Sequence, residues 1–252
     1  KIYSLSPPDL GGFMHSMLEI FSKKLREENL TWRDIDRKWC SEKVSEIIKT
    51  TLDNRGESIL NSSSRYRHVT RRINRVITRA VWLITEHIKK SKFNPAGYEV
   101  SFGNHGDFPP ISVKLHSSED IELVGRVDRI DMMEKDGISY LRVIDYKSGV
   151  KEFNISDLYY GLQIQLLVYL DVILDELESK MNKAAIPGGI LYFKLDDPIV
   201  NGKGNITYNE IEKNIMKSLR MNGLLLDDAD IIKDMDNEIS GPSNIIPASL
   251  KK

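Results

Sequence analysis

The stretch from Gly125 to Gly149, GRVDRIDMMEKDGISYLRVIDYKSG, constrains this 252-residue chain more than any other. It reads as two β-strands joined at Glu134-Lys135-Asp136-Gly137. Successive strand side chains point to opposite faces, so Leu141, Val143, Asp145 and Lys147 share one face and Arg142, Ile144 and Tyr146 the other. A carboxylate and an ammonium closing an apolar strand are expensive to desolvate unless something pairs with them or uses them. The first strand brings Asp128 into the same hairpin, where facing side chains stand about 5 Å apart. Two acids beside a lysine form part of a shell for a hard divalent cation, which takes one or two carboxylates and keeps waters for a substrate phosphate. The lysine would orient an attacking water or neutralise charge developing on the phosphate. Taken alone, Asp-x-Lys also fits an ordinary ion pair on a surface hairpin.

The chain as a whole has the composition of a globular protein, with 40% hydrophobic and 29% charged residues and a net charge of -1. A nucleic-acid partner therefore has to be argued from local charge. No run approaches the roughly 18 apolar residues of a membrane span, and the first residues show no signal-peptide pattern, so a cytoplasmic chain without a membrane partner is expected. The one cysteine, Cys40, excludes an intrachain disulfide framework and reads as a buried thiol.

Ser6-Pro7-Pro8-Asp9 predicts a helix start, with the helix running to about Glu28 and His15 and Glu19 sharing a face. Gly11-Gly12 costs helix propensity and suggests close packing there. Thr31 and Asp34 predict the capping box of a second helix that carries Trp32, Ile35, Trp39 and Ile47 and ends near Asn54-Arg55-Gly56. A third helix is expected from about Ser62 to Lys90. Arg65, Arg67, Arg71, Arg72, Arg75, Arg79, Lys89, Lys90 and Lys92 face one acid, Glu86, in this region. Arg65, His68, Arg72, Arg75 and Arg79 recur at helical spacing, a stripe able to track phosphates or, alternatively, a solvated face pairing with the acid-rich C-terminal part.

Beyond Asn94-Pro95 the period becomes alternating, with strands expected at Tyr98 to Gly103 and Ile111 to Leu115 before the hairpin, giving a meander of about four strands. Ser156 would cap one long helix to Met181, with Leu162 on its apolar stripe and Gln165 and Tyr169 on one face. Gly188 to Leu195 predicts a strand parallel to that of Asp145. A helix from Tyr208 and an acidic, irregular tail complete the chain.

The ordered set of Asp128, Asp145-Tyr146-Lys147 and Gln165-x-x-x-Tyr169 resembles the PD-(D/E)XK nuclease pattern in its RecB-like form. Pro8-Asp9-Leu10-Gly11, Glu99 to Gly103, Gly125 to Asp131 and Tyr159 to Gln165 look closer still to the C-terminal nuclease domain of the B subunit of AddAB-type helicase/nucleases, over Ser4 to Leu250. The resemblance implies an α/β fold with a mixed central β-sheet flanked by helices, the restriction-endonuclease-like core, and a helical N-terminal part. It implies one nuclease domain over 1–252, with helices in 1–93, the catalytic sheet and crossover helix in 94–200, and a helix and irregular tail in 201–252.

By that resemblance the expected activity is metal-dependent hydrolysis of DNA, exonucleolytic on a single-stranded end and directed at the 5′-ended strand. It would act in double-strand-break repair and recombination beside a helicase/nuclease partner subunit. His15, Asp128 and Asp145 would bind Mg²⁺ or Mn²⁺, and Lys147 would assist the attacking water. Gln165 and Tyr169 would support the site or contact DNA, with Glu99 and Asp131 as further candidates. Arg72, Arg75 and Arg79 would meet DNA. The family's four-cysteine iron–sulfur cluster has no counterpart here, since only Cys40 is present and it is misplaced for any of the four, so a trimmed chain is expected. No G-x-x-x-x-G-K-[ST] loop occurs, which assigns ATP hydrolysis elsewhere. The competing function is a catalytically silent DNA-binding or scaffolding module on the same fold.

Overall fold

The computed structural model describes residues 7–54, 64–114, 120–149, 153–198 and 207–251. Three helices, α1 (Pro7–Glu27), α2 (Arg37–Asn54) and α3 (Ser64–Lys89), precede five strands: β1 (Asn94–Phe102), β2 (Ile111–Lys114), β3 (Asp120–Leu123), β4 (Gly125–Lys135) and β5 (Ile138–Lys147). Then come α4 (Ile155–Tyr159), α5 (Gln165–Met181), β6 (Ala185–Lys194), α6 (Tyr208–Ser218), β7 (Asn222–Leu225) and α7 (Ala229–Met235). They form two compact units: Lys1–Lys90 with Lys147–Val150 and Lys194–Arg220, and Ser91–Tyr146 with Lys151–Phe193 and Met221–Lys252.

In the first unit α1, α2 and α3 pack on one another. Phe21 sits 5.3 Å from the Trp32 ring and 5.7 Å from that of Trp39, and Cys40 is buried beside Thr85. The expected capping box is only half formed: Asp34 Oδ2 accepts from the Thr31 N–H and hydroxyl, but the Asp34 N–H goes to the Thr31 carbonyl, closing a turn and not a helix. α2 begins only at Arg37, where Asp36 takes the Trp39 N–H at 2.7 Å and so caps it. The expected Ser6 cap, the Arg55-Gly56 stop and the Ser62 start lie outside the described residues.

The second unit holds a mixed five-stranded sheet in the order β1-β4-β5-β6-β7. Asp136 (φ 52°) and Gly137 (φ 79°) make the tight two-residue turn between β4 and β5, where Asp-Gly supplies the positive φ that such hairpins require. The Ser139 N–H bonds to Ala184 C=O at one end of the β5–β6 seam and the Leu195 N–H to Lys147 C=O at the other, so β6 runs parallel to β5 as expected. Val127, Ile130, Leu141, Val143 and Ile190 of the sheet form one core with Leu166, Tyr169, Leu170 and Ile173 of α5.

Three expectations are corrected. β2 does not join the main meander; it pairs with β3 in a separate ribbon, while β1 pairs directly with β4. Among the described residues, only Ile111 of the ribbon is buried with the sheet's core, while Ile121 and Leu123 stay exposed. The single helix from Ser156 is broken. Asn154, not Ser156, caps α4, and Gly161 at φ 76° stops the run, leaving Leu162 exposed and starting α5 at Gln165. The tail is ordered: β7 pairs with β6, and Ile231, Met235, Ile245 and Ile246 are buried. Its helix α7 carries Asp234, which pairs with Lys92 at 2.7 Å and Lys135 at 2.8 Å.

Candidate active site

The β4–β5 register sets Arg129 opposite Ile144 and Ile130 opposite Val143. One step further along, it sets Asp128 opposite Asp145, both on the face of Ile130, Leu141 and Val143. Asp128 is nearly buried, and its Oδ2 accepts the Tyr146 backbone N–H at 2.5 Å, which fixes the carboxylate on the seam between the strands. Asp145 is half-buried, and Lys147 follows on the same face. Burial, aided by the negative charge of Asp145, pushes the Tyr192 phenol on β6 up to about 12.

On the other side of Asp128, β1 places Tyr98 opposite Arg129 and Val100 opposite Val127, so Glu99 stands across from Asp128. Glu99 has φ 50°, a left-handed conformation that costs a non-glycine residue on the order of 1 kcal/mol and recurs at functional sites. Carboxylate oxygens of Glu99 and Asp128 lie within 4.8 Å of each other. Arg126 reaches Glu99 Oε2 at 3.1 Å. Hard oxygen donors converging in this way suit a divalent cation that prefers carboxylates and water.

Gln165 and Tyr169 are brought together at the start of α5, Gln165 Nε2 donating to Tyr169 Oη at 2.8 Å. The Tyr169 ring stacks on Phe102 with centroids 4.7 Å apart. Phe102 is paired with Gly125 at the start of β4, so the Gln-Tyr pair stands over the strand that leads to Asp128.

Asp131 lies on the opposite face, as its spacing from Asp128 requires. Its partners there were not foreseen: Arg129 Nε at 2.9 Å and Arg142 Nη2 at 2.9 Å, all three side chains essentially without solvent exposure. The Arg142 guanidinium also lies 4.8 Å from the Phe93 ring centroid. Burial, then the positive charge of Arg129, lowers the Arg142 pKa despite Asp131. For Arg129, burial is the largest influence and lowers the value, but Asp131 together with Tyr146 and Tyr98 outweighs it, and the value rises. Burial also raises that of Tyr146, whose hydroxyl accepts from Arg129 Nη1 at 3.5 Å. The alternation of Arg129 and Asp131 along β4, with Arg142 across from Asp131, was the available signal.

In the first unit, α1 comes against the chain just past Lys147. A Cβ on Gly11 would stand 2.7 Å from Ser148 Oγ, whereas one on Gly12 would meet nothing, so only the first glycine is needed for the approach. His15 lies one turn further along α1, half-buried. On α3, Arg72 and Arg75 are exposed and Arg79 is half-buried; the Arg65 side chain lies outside the described residues. Arg75 Nε and Arg79 Nη1 converge on Asp197, at 2.6 and 2.5 Å. Part of the stripe is thus engaged by an acid from late in the chain. No helix among the described residues is long and apolar enough to cross a membrane.

Known proteins are similar to this chain over its whole length. A family model described as the PD-(D/E)XK nuclease superfamily matches residues 1–240. Over all 252 residues the chain is 53% identical to the B subunit of the ATP-dependent helicase/deoxyribonuclease of Acetivibrio thermocellus and 51% identical to that of Clostridium acetobutylicum. It covers 22% of the length of each of these relatives. With a mixed sheet that sets two aspartates across one strand seam and a lysine next in line, the chain belongs to the PD-(D/E)XK nuclease superfamily.

Proposed function

We propose that this chain is a divalent-metal-dependent deoxyribonuclease module working within a cytoplasmic helicase/nuclease complex in double-strand-break repair and recombination. Its reaction is phosphodiester hydrolysis, exonucleolytic on a single-stranded end and acting on the 5′-ended strand. The observation that carries the reading is the convergence of the Glu99 and Asp128 carboxylates within 4.8 Å, with Asp128 fixed by the Tyr146 N–H on the strand that carries Asp145.

His15, Asp128 and Asp145 are the proposed ligands of Mg²⁺ or Mn²⁺, with Glu99 beside them. The bound ion would polarise a phosphoryl oxygen and lower the pKa of its water. Lys147 holds its ammonium on the same face as Asp145, where it orients the attacking water and offsets charge on the phosphate. Tyr146 N–H holds Asp128 in one rotamer, so this carboxylate needs no reorganisation when substrate arrives. Gln165 and Tyr169 position the DNA or support the site from α5, and Arg72, Arg75 and Arg79 attract its phosphates.

The test is incubation of single-stranded DNA, labelled at its 5′ or its 3′ end, with Mg²⁺ or Mn²⁺. Metal-dependent shortening from the 5′ end, lost in Asp145→Asn, is expected. DNA that is bound but left intact with either metal would instead make the chain a silent scaffold.

A further inference from the structure

In the first unit, a cavity of about 510 Å³ carries Arg37, Arg71, Arg75 and Arg79 on its walls, with Trp82 and Met216 as an apolar flank. This volume falls within the roughly 300 to 1,000 Å³ of small-ligand sites. Arg37, Arg71 and Arg75 are exposed and Arg79 is half-buried. Arg75 and Arg79 share a single carboxylate, that of Asp197, each taking one of its oxygens. Arg37 pairs with Glu212 at 3.0 Å. Four guanidiniums therefore face two carboxylates, Asp197 and Glu212, and Arg71 is exposed at the wall of the cavity.

Two guanidiniums gripping the two oxygens of one acid is the arrangement that receives two oxygens of a phosphate, because the planar fork matches both anions. The apolar flank beside it offers surface to a base or sugar, which inorganic phosphate alone would leave empty. We propose that this cavity binds a nucleoside phosphate unit: the phosphate takes the place of Asp197 between Arg75 and Arg79, Arg71 adds a third cation, and the base lies along Trp82 and Met216. The unit is either one nucleotide of a DNA strand or a free nucleotide. The inference rests on the reading that α3 meets DNA and adds a discrete pocket to it. Asp197 is then a built-in occupant that keeps the arginines pre-arranged.

Binding of a labelled single-stranded oligonucleotide by the whole chain in EDTA, and the melting-temperature shift given by dAMP and by inorganic phosphate, test this directly. Arg71→Ala, at an exposed position that threatens no core packing, should weaken binding about tenfold, the equivalent of one charge-assisted hydrogen bond. Asp197→Asn should tighten it, since the competing carboxylate is gone. Response to the oligonucleotide alone identifies the strand as the source, and response to dAMP as well identifies a free nucleotide. Parental affinity in Arg71→Ala, or weaker binding in folded Asp197→Asn, overturns the pocket even when the parent cuts DNA normally. A parent that binds through these residues but cuts with no metal would overturn the nuclease reading and leave the pocket standing.

Discussion

Gly125 lies so close beneath Tyr169 that a Cβ built on it would overlap the phenol oxygen and stand 2.7 Å from Cζ. The strand can begin there only because its first residue has no side chain. Gly125→Ala should therefore push Tyr169 off Phe102 and break the Gln165 bond, a small-to-large change in a packed core costing about 1 to 3 kcal/mol. Urea denaturation checks it. In a Tyr169→Leu background the same substitution should cost less, since the clashing ring is gone; an equal cost in both backgrounds would mean the strain lies in the backbone.

Behind the sheet, Asp131 is the carboxylate shared by the buried Arg129 and Arg142. Removing one partner of a buried ionic cluster leaves uncompensated charge, so Asp131→Ala should destabilise by roughly 3 to 5 kcal/mol. Joint replacement of Arg129, Asp131 and Arg142 by apolar residues of similar volume should be far milder than the sum of the single losses. Equilibrium unfolding of the single and triple variants decides it.

Asp234 ties α7 to β4 and to the start of the sheet unit through Lys135 and Lys92. Burial opposes its charge, but the two lysines hold its carboxyl below the ordinary carboxylate range. A group depressed in the folded state contributes stability that is present above its unfolded value, about 3.9, and is lost as pH falls through the folded value. The unfolding midpoint should hold from neutral pH down to about 4 and then fall, as far as this group is concerned. Asp234→Asn should lower the midpoint at neutral pH and flatten the acid limb. An unchanged acid limb would assign acid sensitivity to other carboxylates.

The α3 stripe makes a separate prediction through salt. Each phosphate neutralised adds about 0.7 to the log-log slope of single-strand affinity against salt. Arg72→Gln, at an exposed position, should lower the slope by about that amount if it meets a phosphate. Arg75→Gln should lower it less, because a phosphate received by that guanidinium must first displace Asp197 from it. Equal slopes in all three proteins would leave the stripe as a solvated face.

The hairpin is legible because its information is local: period-2 alternation places Asp145 with Lys147, and Asp-Gly announces the turn. The parallel return of β6 follows from the right-handed crossover rule. What escapes a reading of the sequence depends on partners distant in it. The Arg129–Asp131–Arg142 cluster exists only once β4 and β5 are paired and covered on that face, so the burial of these charges cannot be read from either strand alone. The break at Gly161 is masked by an apolar stripe that continues through it in sequence. The tail looks irregular because its buried residues are few and widely spaced, and Asp234 finds its lysines, Lys135 and Lys92, only far back in the sequence.

At the acidic face, stability and activity should part at Asp145. Asp128 accepts a backbone N–H from Tyr146, so its loss removes a hydrogen bond of the β4–β5 seam as well as a ligand oxygen. Asp145 faces it across that seam, and crowded carboxylates repel one another when no cation is bound. Asp145→Asn should consequently be as stable as the parent without metal or slightly more so, whereas Asp128→Ala should be less stable. Divalent metal at ten times its dissociation constant should stabilise the parent by about 1.4 kcal/mol, which for a chain of this size is roughly 3 to 5 °C in melting temperature. Asp145→Asn should lose that shift and the nuclease activity together. Lys147→Ala should lose the activity and keep the shift, because the ammonium acts on the water and not on the ion. Melting curves with and without Mg²⁺ beside a nuclease assay separate the two roles: loss of the metal shift in both variants, or cutting by Asp145→Asn, would show that ligand and water-orienting duties are not divided between these residues.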